Sequence, residues 1–262
     1  MLKKALAIPL RLLYALWYIP LFVALTLAAG AVALIGSLFS ATFTRVVSGQ
    51  IWGSVVLGPA FILLKARGRE LLPPLSQGGF ILFANHRSLL DIPAAAMAAE
   101  RPLSWVAKAA LGKIPVFGWV LKRSHMLVER EGGSEAARKM IAEATERLRA
   151  GEIMAIFPEG TRNKSAAPLL PFKKGAFILA KHVGVPLVPL AIYNSGELWP
   201  PRRYLPRPGV IKVAIGRPLA IEPKESLNSI SQRAHEALWE LYQGLAREEA
   251  PPEESADGAP KP

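Results

Sequence analysis

The sequence contains no cysteine among its 262 residues. This absence excludes disulfide bonds, zinc sites built on thiolates and a cysteine nucleophile, although it indicates no particular cellular compartment. No Gly-x-Ser-x-Gly motif is present either, so the nucleophile elbow of the serine hydrolases is excluded. Acidic residues are scarce, 20 against 32 lysines and arginines, which gives a formal net charge of +12. Such a basic chain favours anionic partners: phospholipid head groups, phosphorylated substrates or nucleic acid.

Charged side chains are missing from residues 12–44 and again from residues 46–64. As a helix, the first stretch would be about 50 Å long, which exceeds the ~30 Å hydrocarbon core of a bilayer. Basic residues flank the outer ends of the pair, so the N-terminus and the body of the chain are predicted on the same, cytoplasmic, side. We expect two membrane-embedded helices joined near Arg45, either as two full crossings or as a hairpin in one leaflet. A cleaved signal peptide fits less well, because the apolar run continues past Gly30.

The rest of the chain alternates between strand and helix patterns, which predicts an α/β domain with a mixed sheet flanked by helices. We expect three regions: membrane-anchoring helices at 1–59, a catalytic domain at 60–248, and a disordered tail at 249–262. The tail is acidic and rich in proline, a composition that cannot form a core.

A histidine and a carboxylate lie five positions apart in "NHRSLLD", residues 85–91, directly after an apolar run. In one continuous helix these side chains would point about 140° apart and could not meet. They can meet if the chain turns after His86 and a helix begins near Asp91, and Pro93 favours such a start. Asp91 would then orient the imidazole, whose other nitrogen could remove a proton from a substrate hydroxyl. The alternative is that Asp91 or Ser88 only caps the helix.

A second polar group, "FPEGTRN" at 157–163, follows the predicted strand "EIMAI". Loops at such strand ends often carry function in α/β folds. Gly160 would let the backbone approach a ligand closely, and the guanidinium of Arg162 could form a forked contact with a phosphate. A solvent-exposed turn could carry the same residues, so this motif does not decide the function by itself.

Two further blocks complete the pattern, "KAALGKIPVFG" from Lys108 and "VPLVPLAI" at 185–192. In this order the four blocks resemble the motifs of the glycerolipid acyltransferase family, and within it those of the bacterial 1-acyl-glycerol-3-phosphate acyltransferases. "NHRSLLD" is similar to that family's H-x4-D motif and "FPEGTRN" to its third motif. The resemblance covers about residues 60–220, and the N-terminal apolar segments also fit it.

The resemblance implies roles for individual residues. His86 matches the catalytic base, Asp91 matches its partner, and the substrate-binding positions are Lys108, Glu159, Gly160, Thr161 and Arg162. Many members have an Asp-Arg pair where this chain has Glu129-Arg130, which keeps the charge and adds one methylene. The resemblance implies neither a metal nor another cofactor.

The reaction that the resemblance implies is transfer of a fatty acyl chain from acyl-CoA or acyl carrier protein to the sn-2 hydroxyl of 1-acyl-glycerol-3-phosphate (lysophosphatidic acid). The product would be phosphatidic acid, and the expected location is the inner membrane, among its phospholipids, with the catalytic domain on the cytoplasmic face. Two alternatives stay open: another lysolipid acceptor, such as a lyso-ornithine lipid, or a non-catalytic basic membrane-binding protein. No nucleic-acid-binding motif is visible, so we expect no nucleic acid partner.

Overall fold

A computed structural model describes residues 2–115, 117–129, 133–201 and 203–248. Arg130 and the predicted disordered tail, 249–262, lie outside the described residues. The described helices are α1 (Leu2–Gly36), α2 (Ala41–Val46), α3 (Trp52–Leu57), α4 (Asp91–Ala99), α5 (Phe117–Ser124), α6 (Gly133–Arg149), α7 (Gly175–Val183), α8 (Ser195–Leu198) and α9 (Leu227–Arg247). The strands are β1 (Ile62–Arg67), β2 (Phe80–Ala84), β3 (Leu103–Lys108), β4 (Met126–Val128), β5 (Ile153–Ile156), β6 (Leu187–Tyr193) and β7 (Gly209–Ile215).

The strands form one mixed sheet in the order β1-β7-β6-β2-β5-β3-β4. Strands β2 to β6 all run parallel, whereas β7 is antiparallel to β6 and parallel to β1. The predicted α/β fold with a mixed sheet is therefore confirmed. After β2, the strands β3 and β4 form on one side of it. The chain then returns, and β5 and β6 pair with β2 on its two sides. The loops after β2 and β5 consequently leave the sheet side by side at its centre.

Apolar side chains cover both faces of this sheet, and the period of two along each strand separates them. All five residues of β2 are buried. Phe80 and Leu82 belong to the core packed by the alanines of α4, and Ile81 and Phe83 belong to the core packed by α6, α7 and α9. Strands buried on both faces are expected where parallel strands carry helices on each side. Helices on both faces hold β2 in place, and with it the start of the loop at His86.

The N-terminal segment folds as two helical runs: α1, and a second run made of α2, a π-helical turn (Val47–Ile51) and α3. The chain turns at residues 37–40, and Ser40 caps α2 by accepting a hydrogen bond from the Phe43 N–H at 3.1 Å. The expectation of a joint near Arg45 is wrong. A serine cap starts the second run, and Arg45 lies inside it.

The second run packs against the body of the protein. Among the described residues, one helix, Pro9–Gly36, is long and apolar enough to cross a membrane by length and composition. The predicted second membrane helix at 46–64 is not confirmed, since α3 ends at Leu57 and the chain then enters β1. Glycines bring this run close to α4: a Cβ added at Gly53 would lie 2.8 Å from Cγ of Met97.

A buried arginine ties the second run to the sheet. Arg45 is 5% exposed, and its Nη1 lies 2.8 Å from Oε2 of Glu152, just before β5. The contact is an ion pair, and Oε2 of Glu152 has no hydrogen-bond partner among the described residues. Arg45 also donates to the Ser124 carbonyl at 3.4 Å and to Oγ1 of Thr42 at 3.2 Å. The residue expected at a membrane turn is therefore part of the attachment of the N-terminal segment.

His125 extends this network toward the sheet. Its Nδ1 accepts a hydrogen bond from the Trp105 N–H at 3.3 Å, so a neutral ring carries its proton on Nε2, which lies 3.3 Å from Oγ of Ser48. Burial, together with the positive charges of Arg45 and Arg147, lowers the pKa of His125 to about 3. His125 is therefore neutral at physiological pH and links the N-terminal segment to β3.

The Arg45 ion pair generates a prediction about stability. We expect Arg45→Met to lower the free energy of unfolding by about 2–3 kcal/mol, because it leaves a partly buried Glu152 with only the more distant Arg147. Urea denaturation of detergent-solubilised protein measures this loss. Arg67→Met is the matched control: it removes an exposed pair with Glu248, which contributes roughly 0–1 kcal/mol. Equal losses in the two variants would contradict the structural role of Arg45.

Candidate active site

The predicted histidine–carboxylate pair forms at the end of β2. The strand ends at Ala84, an irregular turn follows, and α4 begins at Asp91. Nδ1 of His86 lies 2.8 Å from Oδ2 of Asp91. The alternative in which Asp91 or Ser88 only caps the helix is wrong. Leu90 occupies the cap position without a side-chain hydrogen bond, and the Asp91 carboxylate bonds backward into the preceding turn.

The carboxylate of Asp91 organises that turn. Besides the imidazole, its Oδ2 accepts hydrogen bonds from the N–H groups of Arg87 at 2.6 Å and Ser88 at 2.7 Å. The side chain is fully buried, and within the described chain its Oδ1 has no hydrogen-bond partner. An ionised carboxylate at Nδ1 assigns the proton of a neutral imidazole to that nitrogen, which leaves Nε2 as an acceptor. His86 is 15% exposed at its side chain, so solvent or a substrate can reach it.

The loop after β5 holds the backbone of His86 on both sides. Oε1 of Glu159 accepts the His86 N–H at 2.7 Å, and the Asn163 N–H donates to the His86 carbonyl at 2.6 Å. The second carboxylate oxygen of Glu159 accepts the Leu170 N–H at 3.0 Å. Burial raises the pKa of Glu159, and the two N–H donors oppose that shift. Glu159 is 2% exposed, so any contribution that it makes to substrate binding is indirect.

The cations at this edge of the sheet fall into two groups. Arg87 is held in place, because its guanidinium donates to the carbonyls of Ala167 at 2.7 Å and Ser165 at 3.2 Å. Arg162, half-buried, makes neither a hydrogen bond nor an ion pair with any residue in the described ranges. Lys108 ends β3 with its side chain exposed. Within the described ranges no carboxylate engages either Arg162 or Lys108, and their roles in substrate binding stay predictions.

Comparison with known proteins identifies the family. A family model described as Acyltransferase matches residues 64–193. A 1-acyl-sn-glycerol-3-phosphate acyltransferase of Pseudomonas aeruginosa is 30% identical over 199 residues, covering 75% of this chain and 70% of that protein. The chain belongs to the acyltransferase family.

Other acyltransferases extend the likeness. The crystal structure of the 1-acyl-sn-glycerophosphate acyltransferase from Thermotoga maritima has a TM-score of 0.74 at 26% identity, covering 92% of this chain and 96% of that chain. A 1-acyl-sn-glycerol-3-phosphate acyltransferase of Chlamydomonas reinhardtii is 30% identical over 212 residues. This alignment covers 78% of the present chain but only 61% of the algal protein, so the chain spans about three fifths of that relative's length.

Two aromatic residues of this acyltransferase chain were not anticipated as parts of the site. The His86 ring stacks on Phe157 with centroids 4.0 Å apart and planes 11° apart. Phe157 in turn stacks on Trp105 at 5.1 Å. The stack fixes the plane of the imidazole, and the quadrupole of an aromatic face favours a positive charge on the neighbouring ring. Phe157 is the first residue of the "FPEGTRN" motif. Its contact with His86 is a tertiary contact that the neighbouring sequence does not indicate.

A cavity of about 380 Å³ reaches the same loop from the α6 and α7 side of the sheet. Hydrocarbon side chains dominate its walls, while Glu129 and Lys173 are charged. Its lining includes Val106, Met126, Val128, Met140, Ile156 and Leu179, together with Phe157 and Gly160 of the loop. Residues from five separate elements build this cavity, so the sequence order did not reveal it.

Substitution of Glu159 tests whether this residue positions the His86 loop for turnover or only stabilises the fold. In Glu159→Gln the amide must direct its NH₂ at one of two backbone N–H donors, so one hydrogen bond to the loop is lost. The neutral amide also avoids the burial cost that raises the pKa of the carboxyl. We expect unfolding free energy to change by less than about 1–2 kcal/mol, whereas turnover falls about tenfold or more as the His86 loop shifts. Thermal unfolding and acyl transfer are measured on the same preparation; unchanged turnover would contradict this role.

Proposed function

We propose that this protein transfers a fatty acyl chain from an acyl thioester to the sn-2 hydroxyl of 1-acyl-glycerol-3-phosphate, which gives phosphatidic acid. The observation that carries the proposal is the 2.8 Å contact between His86 Nδ1 and a fully buried Asp91. Membership of the acyltransferase family supports it, as do the names of the relatives from Pseudomonas and Thermotoga. Both acyl-CoA and acyl carrier protein supply the required thioester, and either donor fits the proposal.

In the proposed reaction, Nε2 of His86 removes the proton of the acceptor hydroxyl as its oxygen attacks the thioester carbonyl carbon. A tetrahedral intermediate forms, and Asp91 stabilises the imidazolium through Nδ1. The C–S bond then breaks, the ester remains on the acceptor, and the leaving thiolate takes the proton from Nε2. The face of Phe157 lies 4.0 Å from the ring that carries the transient positive charge.

Binding of the acceptor is proposed to place its hydroxyl beside His86. Arg162 would hold the phosphate, with Lys108 as a second cation and the Thr161 hydroxyl and Gly160 backbone nearby in the chain. Fixing the phosphate restricts the hydroxyl to the few ångströms in which proton transfer is possible. The apolar cavity behind the loop offers a place for an acyl chain away from water.

The N-terminal segment is proposed to lie in one leaflet of the membrane. Near its middle, α1 touches the body through Trp17, whose Nε1 donates to the Pro59 carbonyl at 3.1 Å. Near its end, Arg123 donates to the Ser37 carbonyl at 2.7 Å. These contacts are about 30 Å apart along the helix. A full crossing would carry this length of the charged body into hydrocarbon, so an in-plane helix is favoured over two crossings.

The test of catalysis is a pair of variants with lysophosphatidic acid and one acyl-CoA as substrates. We expect His86→Ala to abolish turnover, because the proton acceptor is lost. Asp91→Asn should lower turnover by a factor of ~10² to 10⁴, because the turn and the tautomer are no longer fixed. Release of free CoA measures turnover, and circular dichroism checks the fold. Near-wild-type release by folded His86→Ala would remove His86 from the mechanism.

The placement of α1 predicts a labelling pattern. Phe39, 83% exposed in the turn after α1, would be buried in lipid, so Phe39→Cys should resist an impermeant thiol reagent applied outside intact cells. Because the chain has no native cysteine, the signal is specific. Lys224→Cys, on the exposed surface of the body, is the control and should react only after permeabilisation. External labelling of Phe39→Cys would instead support full crossings.

A further inference from the structure

Lys173 lies on the loop that carries Arg162, although no motif of the sequence pointed to it. Its backbone N–H donates to the Pro158 carbonyl at 2.8 Å, which joins the start of α7 to the "FPEGTRN" loop. Its side chain is exposed to solvent. Within the described ranges the ammonium group has neither an ion pair nor a hydrogen bond with another residue. The backbone of Lys173 is thus fixed by a hydrogen bond, whereas its ammonium group is available to a ligand.

The side chain of Lys173 crosses directly over Gly160. A Cβ added to Gly160 would lie 2.8 Å from both Cδ and Cε of Lys173 and 3.1 Å from Nζ. Gly160 also has a φ of +70°, a left-handed conformation that glycine adopts without strain. The positive φ favours glycine at this position, and the absence of a Cβ leaves room for the lysine side chain to lie against the backbone. The ammonium group is placed against the residue that precedes Thr161 and Arg162.

The surroundings of Lys173 favour an anion. Glu159, the acidic residue of the loop, is buried with both oxygens bonded to backbone N–H groups, so it does not neutralise this surface. Glu129 lines the same cavity as Lys173, but within the described ranges the two side chains form no ion pair. The first turn of α7, which begins two residues after Lys173, contains no acidic residue. The positive end of the α7 dipole adds to the field of the lysine. Arg87, in contrast, is held by the carbonyls of Ala167 and Ser165, which fix its guanidinium against the chain.

We propose that Lys173 is a further phosphate-binding residue, which together with Arg162 holds the phosphate monoester of the acceptor. The inference rests on the proposed function and deepens it by adding a second cation on the same loop. Lys173 supplies a point charge that can follow the phosphate, and Arg162 supplies the planar fork. The donor also carries phosphates when it is acyl-CoA, so the experiment has to distinguish the two substrates.

Lys173→Met tests the proposal, because methionine keeps an apolar stem over Gly160 and removes the charge. We expect the KM for lysophosphatidic acid to rise by about tenfold to a hundredfold, the value of one charge-assisted hydrogen bond. The KM for acyl-CoA should stay within about twofold of the wild type, since donor binding does not depend on this contact. Lys173→Arg, which restores a cation, should recover most of the loss.

Lys174→Met is the matched control, since it removes an identical charge from the next, exposed residue. It should leave the KM for lysophosphatidic acid within about twofold of the wild type, because general attraction is screened and only a contact is specific. Equal effects of the two lysines would overturn the proposal. So would a rise in the KM for acyl-CoA alone, which would assign Lys173 to the donor.

A binding measurement keeps this test separate from the proposed function. Lysophosphatidic acid is titrated into detergent-solubilised protein without any donor, and its affinity is measured by calorimetry for the wild type, Lys173→Met and Lys174→Met. Weaker binding of lysophosphatidic acid in Lys173→Met alone supports the phosphate contact. This holds even if the wild type transfers no acyl group, because that result would refute the proposed reaction but not the binding site. Equal affinity in all three proteins would overturn the proposal.

Discussion

The turn between β2 and α4 depends on one carboxylate. Asp91 is the first residue of α4, yet its Oδ2 accepts two backbone N–H groups from the turn before the helix and the imidazole of His86. Without this acceptor, the N–H groups of Arg87 and Ser88 would be left without their partner in a buried turn, at a cost of roughly 1–3 kcal/mol each. The interaction that would orient the catalytic ring therefore also closes the backbone on which the ring is placed. This double use explains why histidine and aspartate occur at this spacing and at a helix start, where a continuous helix would keep them apart.

Sheet topology supplies the second half of the site. The central position of β2, with β5 and β6 on either side, brings the loops after β2 and β5 together at a topological switch point. The loop after β2 leads into α4 on one face, and the loop after β5 leads toward α7 on the other. Glu159 and Asn163 join the two loops through the N–H and C=O groups of His86. A ligand at this crevice meets a histidine from one loop and cations from the other.

Much of this arrangement could be predicted from the sequence, because its signals are local. The strands follow apolar runs between turn residues, and the start of α4 follows from Pro93 and the spacing of His86 and Asp91. The predictions that failed or were missing depend on tertiary partners. Arg45 reads as a membrane-turn residue until Glu152, more than a hundred positions later, is placed beside it. Only the packed fold shows that backbone N–H groups occupy both oxygens of Glu159, whose expected part in substrate binding stays a prediction. No periodicity predicts that Phe157 stacks on His86.

The N-terminal helix is attached at the same edge of the sheet as the crevice that contains His86. Because β1 runs antiparallel to β2, the start of β1 lies at the same edge of the sheet as the end of β2. Phe61, next to that start, stacks on Trp17 of α1 at 6.2 Å. The aromatic part of α1, where an interfacial belt would form, is thus attached at the edge that carries His86. A lysolipid whose chain stays in the leaflet beside α1 would keep its head group at the level of this edge. In such a geometry the membrane itself would restrict the acceptor to a plane, and the cations of the β5 loop would only have to select its position within that plane.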